Sequence, residues 1–476
     1  MTLIWLGESA ELDPAVVGGK ARSINQMLQL GMPVPPAFVL STGFCGEVNA
    51  NDGRLTEPVV TALRAGLDRI ETTTGRRLGD PDRPLLVSVR SGGARSMPGM
   101  MDTVLNLGMT DAVQAGLARI TADSEFAADT HRRFVEQFQR VVDTPATGDP
   151  WKDLVLAAEA VFASWNSTRA QAYRNHHDIA QDGGTAVTVQ AMAFGNYDDS
   201  SGTGVLFTRN PLTGDAEPYG EWLPRGQGED VVSGRFDALH LDALRAQLPE
   251  IHDQLLAAGT ALEKHGRDAQ DIEFTVEAGK LWLLQTRAAK RSPLAAVRIA
   301  ALLAQEGVIE RSAAVAMVSK AQLTAATAPH VDPVARETAT VLATGIPACP
   351  GVASGRIVAT CEEAEDLSDD GVDVVLARPT TDPDDVSGMV VSVAIATEIG
   401  GSTSHAAVVG RELGKPSVVG CGQGTLATLA GRIVTVDGTN GEILDGVLPL
   451  ADAHGPEQEA AALLREWARD ARPVAP

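Results

Sequence analysis

Short apolar runs alternate with helical stretches along most of the chain, and this alternation constrains the fold more than any other feature. In the last third, the runs GRIVAT, DVVLAR, SVAIAT and RIVTVDG are separated by turns and by one helical stretch. Toward the N-terminus, PLLVSVRSGG predicts a strand that ends at a glycine turn, and DIEFTVEAGKLWLLQTR predicts a β-hairpin. The segment SSGTGVLFTRNPLTG predicts a glycine-rich loop before a short strand. The pattern therefore predicts a multidomain protein of mixed class, α/β and α+β.

The length of 476 residues allows two to four domains. We predict a first domain with subdomains over residues 1–290 and an Ala-rich helical connector over 291–344. A compact α/β domain is expected at 345–449, and a C-terminal helix and tail at 450–476. This last helix is expected to begin at Gly455 and Pro456 and to carry Leu463, Leu464 and Trp467 on one stripe.

The charge and the cysteines exclude several classes of function. A net charge of −23 disfavours binding to nucleic acid or to anionic membranes, although local cations in a cleft can still bind a nucleotide. The N-terminus has neither a basic region nor a long apolar stretch, and no later apolar run reaches the length of about 18 residues that a membrane helix needs. Four scattered cysteines without a CxxC pair indicate reduced thiols in the cytoplasm and no zinc site.

The segment GGSTSHAAVVGREL places His405 at the expected start of a helix, behind two glycines and three small hydroxyl residues. One of residues 402–404 can cap this helix, and Gly414 and Pro416 can end it. The polarity of a helix N-terminus disfavours a protonated imidazole but suits an imidazole that carries a phosphoryl group. The small neighbours leave room for a bulky anion, so the segment predicts a phosphohistidine site. A capped helix whose histidine only fills space remains an open alternative.

Two carboxylates on the predicted hairpin suggest a metal site. Asp271 and Glu273 are two residues apart, so their side chains share one face of a strand, and Gln285 and Arg287 do the same on the next strand. Oxygen ligands of this kind suit Mg²⁺, and an arginine can hold a phosphate by two parallel hydrogen bonds.

The strand register decides whether these four groups meet. The cluster forms if Glu277 lies opposite Leu281, and a slip of one residue separates its members. An exposed face with cross-strand salt bridges therefore remains open as an alternative.

Other stretches also fit phosphate binding. Lys20 follows a glycine pair, and Arg90 ends a strand just before another pair. Gly202 and Gly204 of the SGTG segment allow close approach of a polyphosphate to the backbone, as does MPGMMDT at 97–103. None of these stretches has the spacing of a P-loop or of GxGxxG, so neither a Walker-type nor a Rossmann fold is indicated.

Together these stretches resemble the pyruvate, phosphate dikinase family. The matching segments occur in the family's order and span nearly the whole chain: GGKARSINQMLQLGMPVPPAF, VSVRSGGARSMPGMMDTVLNLG, DDSSGTGVLFTRNPLTGDAEPYGEWL, GQGEDVVSG, DIEFTVEAGKLWLLQTR, GIPACPGVASG and GGSTSHAAVVGRELGKPSVVGCG. The stretch SMPGMMDTVLNLG favours the dikinase over phosphoenolpyruvate synthase.

The resemblance implies an ATP-grasp nucleotide-binding module followed by a swivelling α/β phosphohistidine domain. In the family, Mg-ATP phosphorylates the histidine, and the carrier domain then swings to a separate barrel and phosphorylates pyruvate. Carried over to this chain, the resemblance assigns His405 as the covalent carrier and Asp271 and Glu273 as metal ligands. It assigns nucleotide contacts to Lys20, Arg90, Gly202, Gly204, Glu221, Gln285 and Arg287, with Arg90 and Arg287 also catalytic. Thr403 matches a threonine that is a regulatory phosphorylation site in some members.

Two departures from the family pattern matter. The family usually has SGAR, one further residue and SMPG, whereas this chain has SGGARSMPG, which displaces Arg95 by one position and leaves it without an assigned role. The sequence also reaches Pro476 without the family's pyruvate-binding barrel, so we expect the barrel on a separate chain. Cys421 lies in the histidine domain and is not expected to replace the barrel's cysteine.

The leading hypothesis is an ATP-dependent phosphotransferase. ATP, with phosphate, would give AMP and pyrophosphate and leave a phosphoryl group on His405, for pyruvate on a separate chain or for another acceptor. A phosphocarrier or regulatory protein without turnover is one alternative, and a kinase of a different small molecule is another.

Overall fold

The computed structural model describes residues 2–9, 11–95, 97, 100–176, 179–180, 183–232, 238–328, 330–451 and 455–470. The chain forms two compact units. The first comprises Met1–Gly202 and Phe274–Arg287, and the second comprises Thr203–Glu273 and Ala288–Pro476. Helices and sheets occur in both units, which confirms the predicted mixed α/β class.

The first unit is built around an antiparallel sheet with the order β1-β2-β7-β5-β6. The strands of the first unit, which include two outside this sheet, are β1 (Leu3–Trp5), β2 (Ala37–Leu40), β3 (Arg77–Leu78), β4 (Pro84–Leu85), β5 (Val87–Gly92), β6 (Thr103–Leu107) and β7 (Ala186–Ala191). Its helices are α1 (Pro14–Gln29), α2 (Thr42–Ala50), α3 (Glu57–Thr74), α4 (Asp111–Thr121), α5 (Ser124–Val142), α6 (Pro150–Ala163) and α7 (Thr168–His176), with a 3₁₀ turn at Ser164–Asn166.

Helix α1 shows both the strength and the limit of the apolar pattern. The apolar periodicity of the segment GGKARSINQMLQLG predicts a helix with Ile24, Met27, Leu28 and Leu30 facing inward, and Ile24 and Met27 are fully buried. Leu30, which the same pattern placed inward, is 41% exposed. The helix ends at Gln29, and Gly31 turns the chain with a φ of 71°, so Leu30 no longer follows the helical periodicity.

The next strands and helices along the chain include segments of both units. These are β8 (Gly202–Phe207), β9 (Tyr219–Pro224), β10 (Leu239–His240), β11 (Gln270–Glu277), β12 (Lys280–Ala288), α8 (Gly228–Val232), α9 (Asp242–Gln247) and α10 (Pro249–Gly266). In the second unit the strand order is β10-β9-β8-β11, and in the first unit the rest of β11 forms the predicted hairpin with β12.

The SGTG segment differs from its prediction. Gly202 and Gly204 lie in β8, whose residues are all buried, and not in a loop. Because β8 is an interior strand between β9 and β11, ladder hydrogen bonds on both sides outweigh the weak strand propensity of glycine.

The Ala-rich segment is helical, as predicted. It forms α11 (Pro293–Gln305), α12 (Arg311–Met317) and α13 (Lys320–Ala326), followed by β13 (His330–Val331) and α14 (Pro333–Thr338). The helices α11 to α13 bury Val297, Leu303 and Ile309 in one core with Leu464 and Trp467 of the predicted C-terminal helix.

The remaining strands build an eight-stranded sheet with the order β14-β21-β20-β16-β17-β18-β19-β15. They are β14 (Val341–Thr344), β15 (Ile346–Cys349), β16 (Val352–Val358), β17 (Val374–Arg378), β18 (Ala394–Thr397), β19 (Ser417–Val419), β20 (Ile433–Asp437) and β21 (Glu442–Asp445). The associated helices are α15 (Cys361–Asp369), α16 (Val386–Val391) and α17 (His405–Leu413), with 3₁₀ turns at Pro383–Asp385 and Leu426–Leu429, and β22 (Leu450–Ala451) and α18 (Pro456–Asp470) complete the chain. Strands β16 to β19 run parallel, so α17 is the crossover from β18 to β19.

All four cysteines are free thiols, and Cys45, Cys349 and Cys421 are buried. Burial raises the pKa of Cys349 to about 12. Burial, aided by Glu398, raises that of Cys421 to about 12. Burial and Asp385 raise the pKa of Cys361 to about 11. Within the described residues, no helix is both long enough and apolar enough to cross a bilayer.

Candidate functional site

His405 is the first residue of α17, as the sequence predicts. Ser404 is the N-cap residue, with φ −60° and ψ 161°, and Gly414 ends the helix in the left-handed conformation with φ 65°. The Ser404 side chain makes no capping hydrogen bond, and its buried Oγ has no partner among the described atoms. One polar hydroxyl thus lies unpaired beside the imidazole.

The His405 ring is held from one side. Its Nδ1 lies 3.0 Å from the hydroxyl of Thr381, whereas the buried Nε2 has no hydrogen-bond partner in the described part of the chain. Burial lowers the pKa of His405, and the carboxylates of Asp382 and Asp385 oppose that shift. The site therefore favours a neutral imidazole with one ring nitrogen anchored and the other unsatisfied.

Sequence reasoning missed Thr381 and the two aspartates. They belong to the segment TTDPDD, which directly follows β17. Strands β17 and β18 are parallel neighbours, so their carboxyl ends meet at one edge of the sheet. The sequence signal that could have predicted this contact is a polar segment after one apolar run and a histidine after the next.

Backbone conformation and close packing explain why glycines precede His405. Gly400 has a φ of 128°, and a Cβ atom there would lie 3.0 Å from Ser404 Oγ. A Cβ atom at Gly401 would lie 3.1 Å from Oε1 of Glu221. The histidine loop, residues 400–404, therefore needs glycine for its backbone conformation and for the close approach of a carboxylate.

Glu221 of β9 binds the histidine loop with both carboxylate oxygens. Its Oε1 accepts a hydrogen bond from Ser402 Oγ, and its Oε2 accepts one from Thr403 Oγ1 at 2.6 Å. The Tyr219 hydroxyl donates to Ser402 Oγ at 2.8 Å. The family resemblance placed Glu221 in the nucleotide cleft, whereas its observed partners are the hydroxyls next to His405.

A buried cation lies beneath the same loop. Arg411 in the last turn of α17 is 2% exposed and donates to the carbonyl oxygens of Ser402 at 2.9 Å and Ala348 at 3.2 Å. Burial lowers the pKa of Arg411, and the nearby acidic groups, Asp271 and Glu221 among them, oppose that shift. The loop therefore combines a fixed backbone shape with a positive charge that lies near these two carboxylates.

In the first unit, the structure brings Lys20, Arg90 and Gln285 to one region. Helix α1 is kinked at Gly18, where a Cβ atom would lie 2.3 Å from the Gly92 carbonyl oxygen. The close approach at this kink places Lys20 at the end of β5, the strand that carries Arg90. Arg90 donates a hydrogen bond of 3.3 Å to Gln285 Oε1. These three predicted nucleotide residues therefore share one neighbourhood.

The hairpin turn differs from the register that the sequence analysis assumed. Ala278 and Gly279 both have positive φ, at 48° and 70°, and form a two-residue turn of the kind that hairpins prefer. Such a turn places Glu277 opposite Lys280 and not opposite Leu281. The assumed register is therefore wrong by one residue at the turn, because the turn contains two residues and not three.

Two positions contradict the alternative that these hairpin residues lie on an exposed face. Asp271, in the second unit, is 3% exposed, and Gln285, in the first unit, is 8% exposed. Glu273 and Arg287 are half-buried in the second and first unit, respectively. By the register condition given in the sequence analysis, the two-residue turn alone does not bring the two carboxylates together with Gln285 and Arg287, so their meeting stays a prediction.

Arg95 lies exposed in a bend after β5. Parts of the predicted phosphate-binding segment at 97–103, namely residues 98 and 99, lie outside the described residues. Nothing in the described part of this segment assigns a role to Arg95.

Two family models match segments of this chain. Residues 49–247 match the family model "Pyruvate phosphate dikinase, AMP/ATP-binding domain", and residues 371–441 match "PEP-utilising enzyme, mobile domain". The first match contains Arg90 and Glu221, and the second contains His405 and Arg411.

Curated relatives align over nearly the whole chain. Pyruvate, phosphate dikinase 1, chloroplastic, of Oryza sativa subsp. japonica is 41% identical over 91% of this chain and 52% of its own length. The pyruvate, phosphate dikinases of Rhizobium meliloti (strain 1021) and Clostridium symbiosum are 38% and 37% identical over 93% and 92% of this chain, and over 57% of their own lengths. The chain thus spans little more than half the length of these relatives. Across its AMP/ATP-binding and mobile domains, the chain belongs to the pyruvate, phosphate dikinase family.

Proposed function

We propose that ATP phosphorylates His405 and that the mobile domain carries the phosphoryl group to an acceptor. The observation that carries this proposal is the His405 ring, whose Nδ1 contacts Thr381 while the buried Nε2 has no partner among the described atoms. If Nδ1–H donates to Thr381, the lone pair stays on Nε2 and can attack phosphorus. A lowered pKa keeps this lone pair available at neutral pH.

Lys20, Arg90, Gln285 and Arg287 are proposed to bind the nucleotide phosphates. Lysine and arginine supply the charge, and the Arg90–Gln285 hydrogen bond orients the guanidinium for bidentate contact. This assignment places cations in a chain whose net charge is −23, where they are needed to attract a polyphosphate.

Asp271 and Glu273 fit a magnesium ion that also binds phosphate oxygens. They supply only carboxylate oxygens, and their alternate positions on β11 allow both to face one ligand. In the part of the chain that the structure describes, no three or more His, Cys, Asp or Glu residues form a cage of their own. Mg²⁺ is often held by one or two carboxylates together with phosphates, and it would neutralise phosphate charge there.

We propose that the histidine receives the β-phosphoryl group. His405 Nε2 would attack the β-phosphorus of ATP, the bond between the α- and β-phosphates would break, and AMP would leave. The γ-phosphoryl group is transferred to inorganic phosphate, which gives pyrophosphate. One ATP, one phosphate and the neutral histidine thus give AMP, pyrophosphate and one phosphohistidine.

Pyruvate is the proposed acceptor because the relatives are named for it. We further propose that the reaction takes place in the cytoplasm, as the sequence analysis expects. A phosphocarrier without turnover of its own remains the second candidate, since the unpaired Nε2 would also suit a histidine that another enzyme phosphorylates.

Positional labelling of ATP tests the proposal. Purified protein with Mg²⁺ and phosphate should take up acid-labile label from ATP labelled at the β-phosphate, and γ-labelled ATP should yield labelled pyrophosphate. Label from the γ-phosphate on the histidine, with ADP as product, would contradict the proposal. Absence of any label despite ATP binding would favour the carrier without turnover.

The pH profile of histidine labelling should have its acid limb below pH 6.5. The folded-state pKa of His405 lies below the ordinary value of 6.5, so the ring stays neutral at and above that pH and loses its lone pair only at lower pH. Initial labelling rates between pH 5 and 8, measured at saturating ATP, check this expectation. An acid limb centred above pH 6.5 would contradict the lowered pKa.

Replacing Thr381 by valine should slow histidine labelling about 10- to 100-fold, by analogy with metal-binding histidines that lose the hydrogen-bond partner of their second ring nitrogen. Valine preserves the shape but removes the hydroxyl that lies 3.0 Å from Nδ1. Thr381→Ser keeps a hydroxyl and should retain most of the rate. Equal rates in Thr381→Val and the wild type would show that the contact does not orient the ring.

A further inference from the structure

We infer that Glu221 is a positioning residue that holds the histidine loop in one docked position through Ser402 and Thr403. The two hydrogen bonds from these hydroxyls to the Glu221 carboxylate form what we call the latch. The inference rests on the proposed function of His405 as a carrier, because only a carrier needs its loop to be held and then released.

The latch satisfies both oxygens of a carboxylate that lies away from water. Glu221 is 9% exposed, Ser402 is 2% exposed and Thr403 is 4% exposed. A buried carboxylate without hydrogen-bond donors is costly, so the two hydroxyls strongly favour the docked position. The Tyr219 hydroxyl, which donates to Ser402 Oγ, orients one of these donors toward Glu221.

The latch joins two segments that the family comparisons separate. Glu221 lies in the segment matched to the AMP/ATP-binding domain, and both hydroxyl residues lie in the segment matched to the mobile domain. Since the donors are 181 and 182 residues from Glu221 in sequence, local chain geometry does not enforce these bonds. A mobile domain that leaves this position must break both.

Charge reinforces the docked position. Arg411 holds the loop through the Ser402 carbonyl oxygen and, being on α17, travels with the loop. Two of its buried nitrogens, Nε and Nη2, have no hydrogen-bond partner among the described atoms. The charge of Arg411 is close enough to Glu221 and Asp271 to affect its pKa, so these carboxylates attract the loop. Asp271 is also a proposed metal ligand, so the docked loop lies near one carboxylate of the proposed metal site.

Hydrogen exchange without nucleotide tests the latch. Because Glu221 is distant in sequence from residues 400–413, Glu221→Gln leaves the intrinsic exchange rates of these residues unchanged. The variant should raise exchange in this segment about threefold to tenfold, because a weaker latch increases the population of the released loop. Thr403→Val should do the same, and Thr403→Ser should restore slow exchange. Thr428→Val removes an exposed hydroxyl on the same domain and serves as the matched control.

A double-mutant cycle isolates the pair. If Glu221 and Thr403 act through one hydrogen bond, the effect of Glu221→Gln combined with Thr403→Val will be smaller than the product of the single effects. Independent, multiplicative effects on exchange would overturn the latch. Ser402→Ala provides a second cycle with Glu221→Gln if the valine variant does not fold.

Kinetics distinguish a latch from the nucleotide contact that the resemblance assigned to Glu221. A latch predicts that Glu221→Gln lowers the maximal rate of histidine labelling about threefold to tenfold and leaves the apparent affinity for ATP unchanged. Weaker ATP binding with an unchanged maximal rate would assign Glu221 to the nucleotide and overturn the latch.

The two readouts also separate the latch from the proposed function. If wild-type protein takes no label from ATP but the exchange pattern appears as expected, the latch stands and phosphorylation of His405 by ATP does not. If labelling occurs and none of the latch variants alters exchange, the carrier stands and the latch is wrong.

Discussion

Replacing His405 by asparagine should abolish acid-labile labelling from ATP, with a residual rate at least about a thousandfold below that of the wild type. Asparagine preserves polarity near the Thr381 hydroxyl but has no nucleophilic ring nitrogen. The loss is expected to be this large because Nε2 is the proposed covalent site, and no other described group lining the same small cavity has a nucleophilic ring nitrogen. The other lining residues are Thr380, Thr381, Ile399, Gly400, Ser404 and Ala406.

A matched control separates chemistry from folding. His265 lies exposed near the end of α10, so His265→Asn should label at the wild-type rate. ATP binding by His405→Asn should also match the wild type, because the proposed nucleotide contacts lie elsewhere. Persistent label in His405→Asn would place the covalent site on another residue and remove the central proposal.

Replacing Glu273 by glutamine should lower histidine labelling at least about a hundredfold. The substitution preserves shape and hydrogen-bonding capacity but removes one of the two negative charges proposed to bind Mg²⁺. Phosphoryl transfer depends on neutralising charge as it develops on the phosphate oxygens, so the rate should fall more than the affinity for the nucleotide base and ribose.

A binding measurement makes this prediction independent of turnover. Wild-type protein should bind ATP more tightly with Mg²⁺ than with a chelator, and Glu273→Gln should lose most of this difference. Glu217→Gln changes an exposed carboxylate in the same unit and should retain it. Unchanged labelling and unchanged Mg²⁺ dependence in Glu273→Gln would remove Glu273 from the metal site.

Local sequence patterns predicted many helices and strands of this fold, but they did not predict features that depend on long-range contacts. The hairpin and α17 follow from turn residues, capping residues and apolar periodicity, which act over a few positions. The glycines of β8 were misassigned to a loop because the burial of an interior strand depends on neighbours distant in sequence. The hairpin register was off by one residue because a two-residue and a three-residue turn both fit EAGK.

The residues of the candidate site likewise differ in how well the sequence predicts them. His405 stands out from its own neighbours in the sequence, whereas Thr381 reaches it only because β17 and β18 end at one edge of a sheet. The partner of Thr403 could not be predicted, since Glu221 lies 182 residues away. The resemblance identified Glu221 as functional but gave no indication that it would contact the loop.

The unreactive thiols have a practical consequence for following the mobile domain. Maleimides attack thiolates, and a thiol whose pKa is raised to about 11 or 12, as in Cys349, Cys361 and Cys421, is almost entirely protonated at neutral pH. Burial also raises the pKa of the Cys45 thiol. A single cysteine introduced at an exposed position should therefore take up a fluorophore or spin label selectively, without removal of any native cysteine. The natural sequence can thus carry a reporter that tests whether the mobile domain moves as proposed.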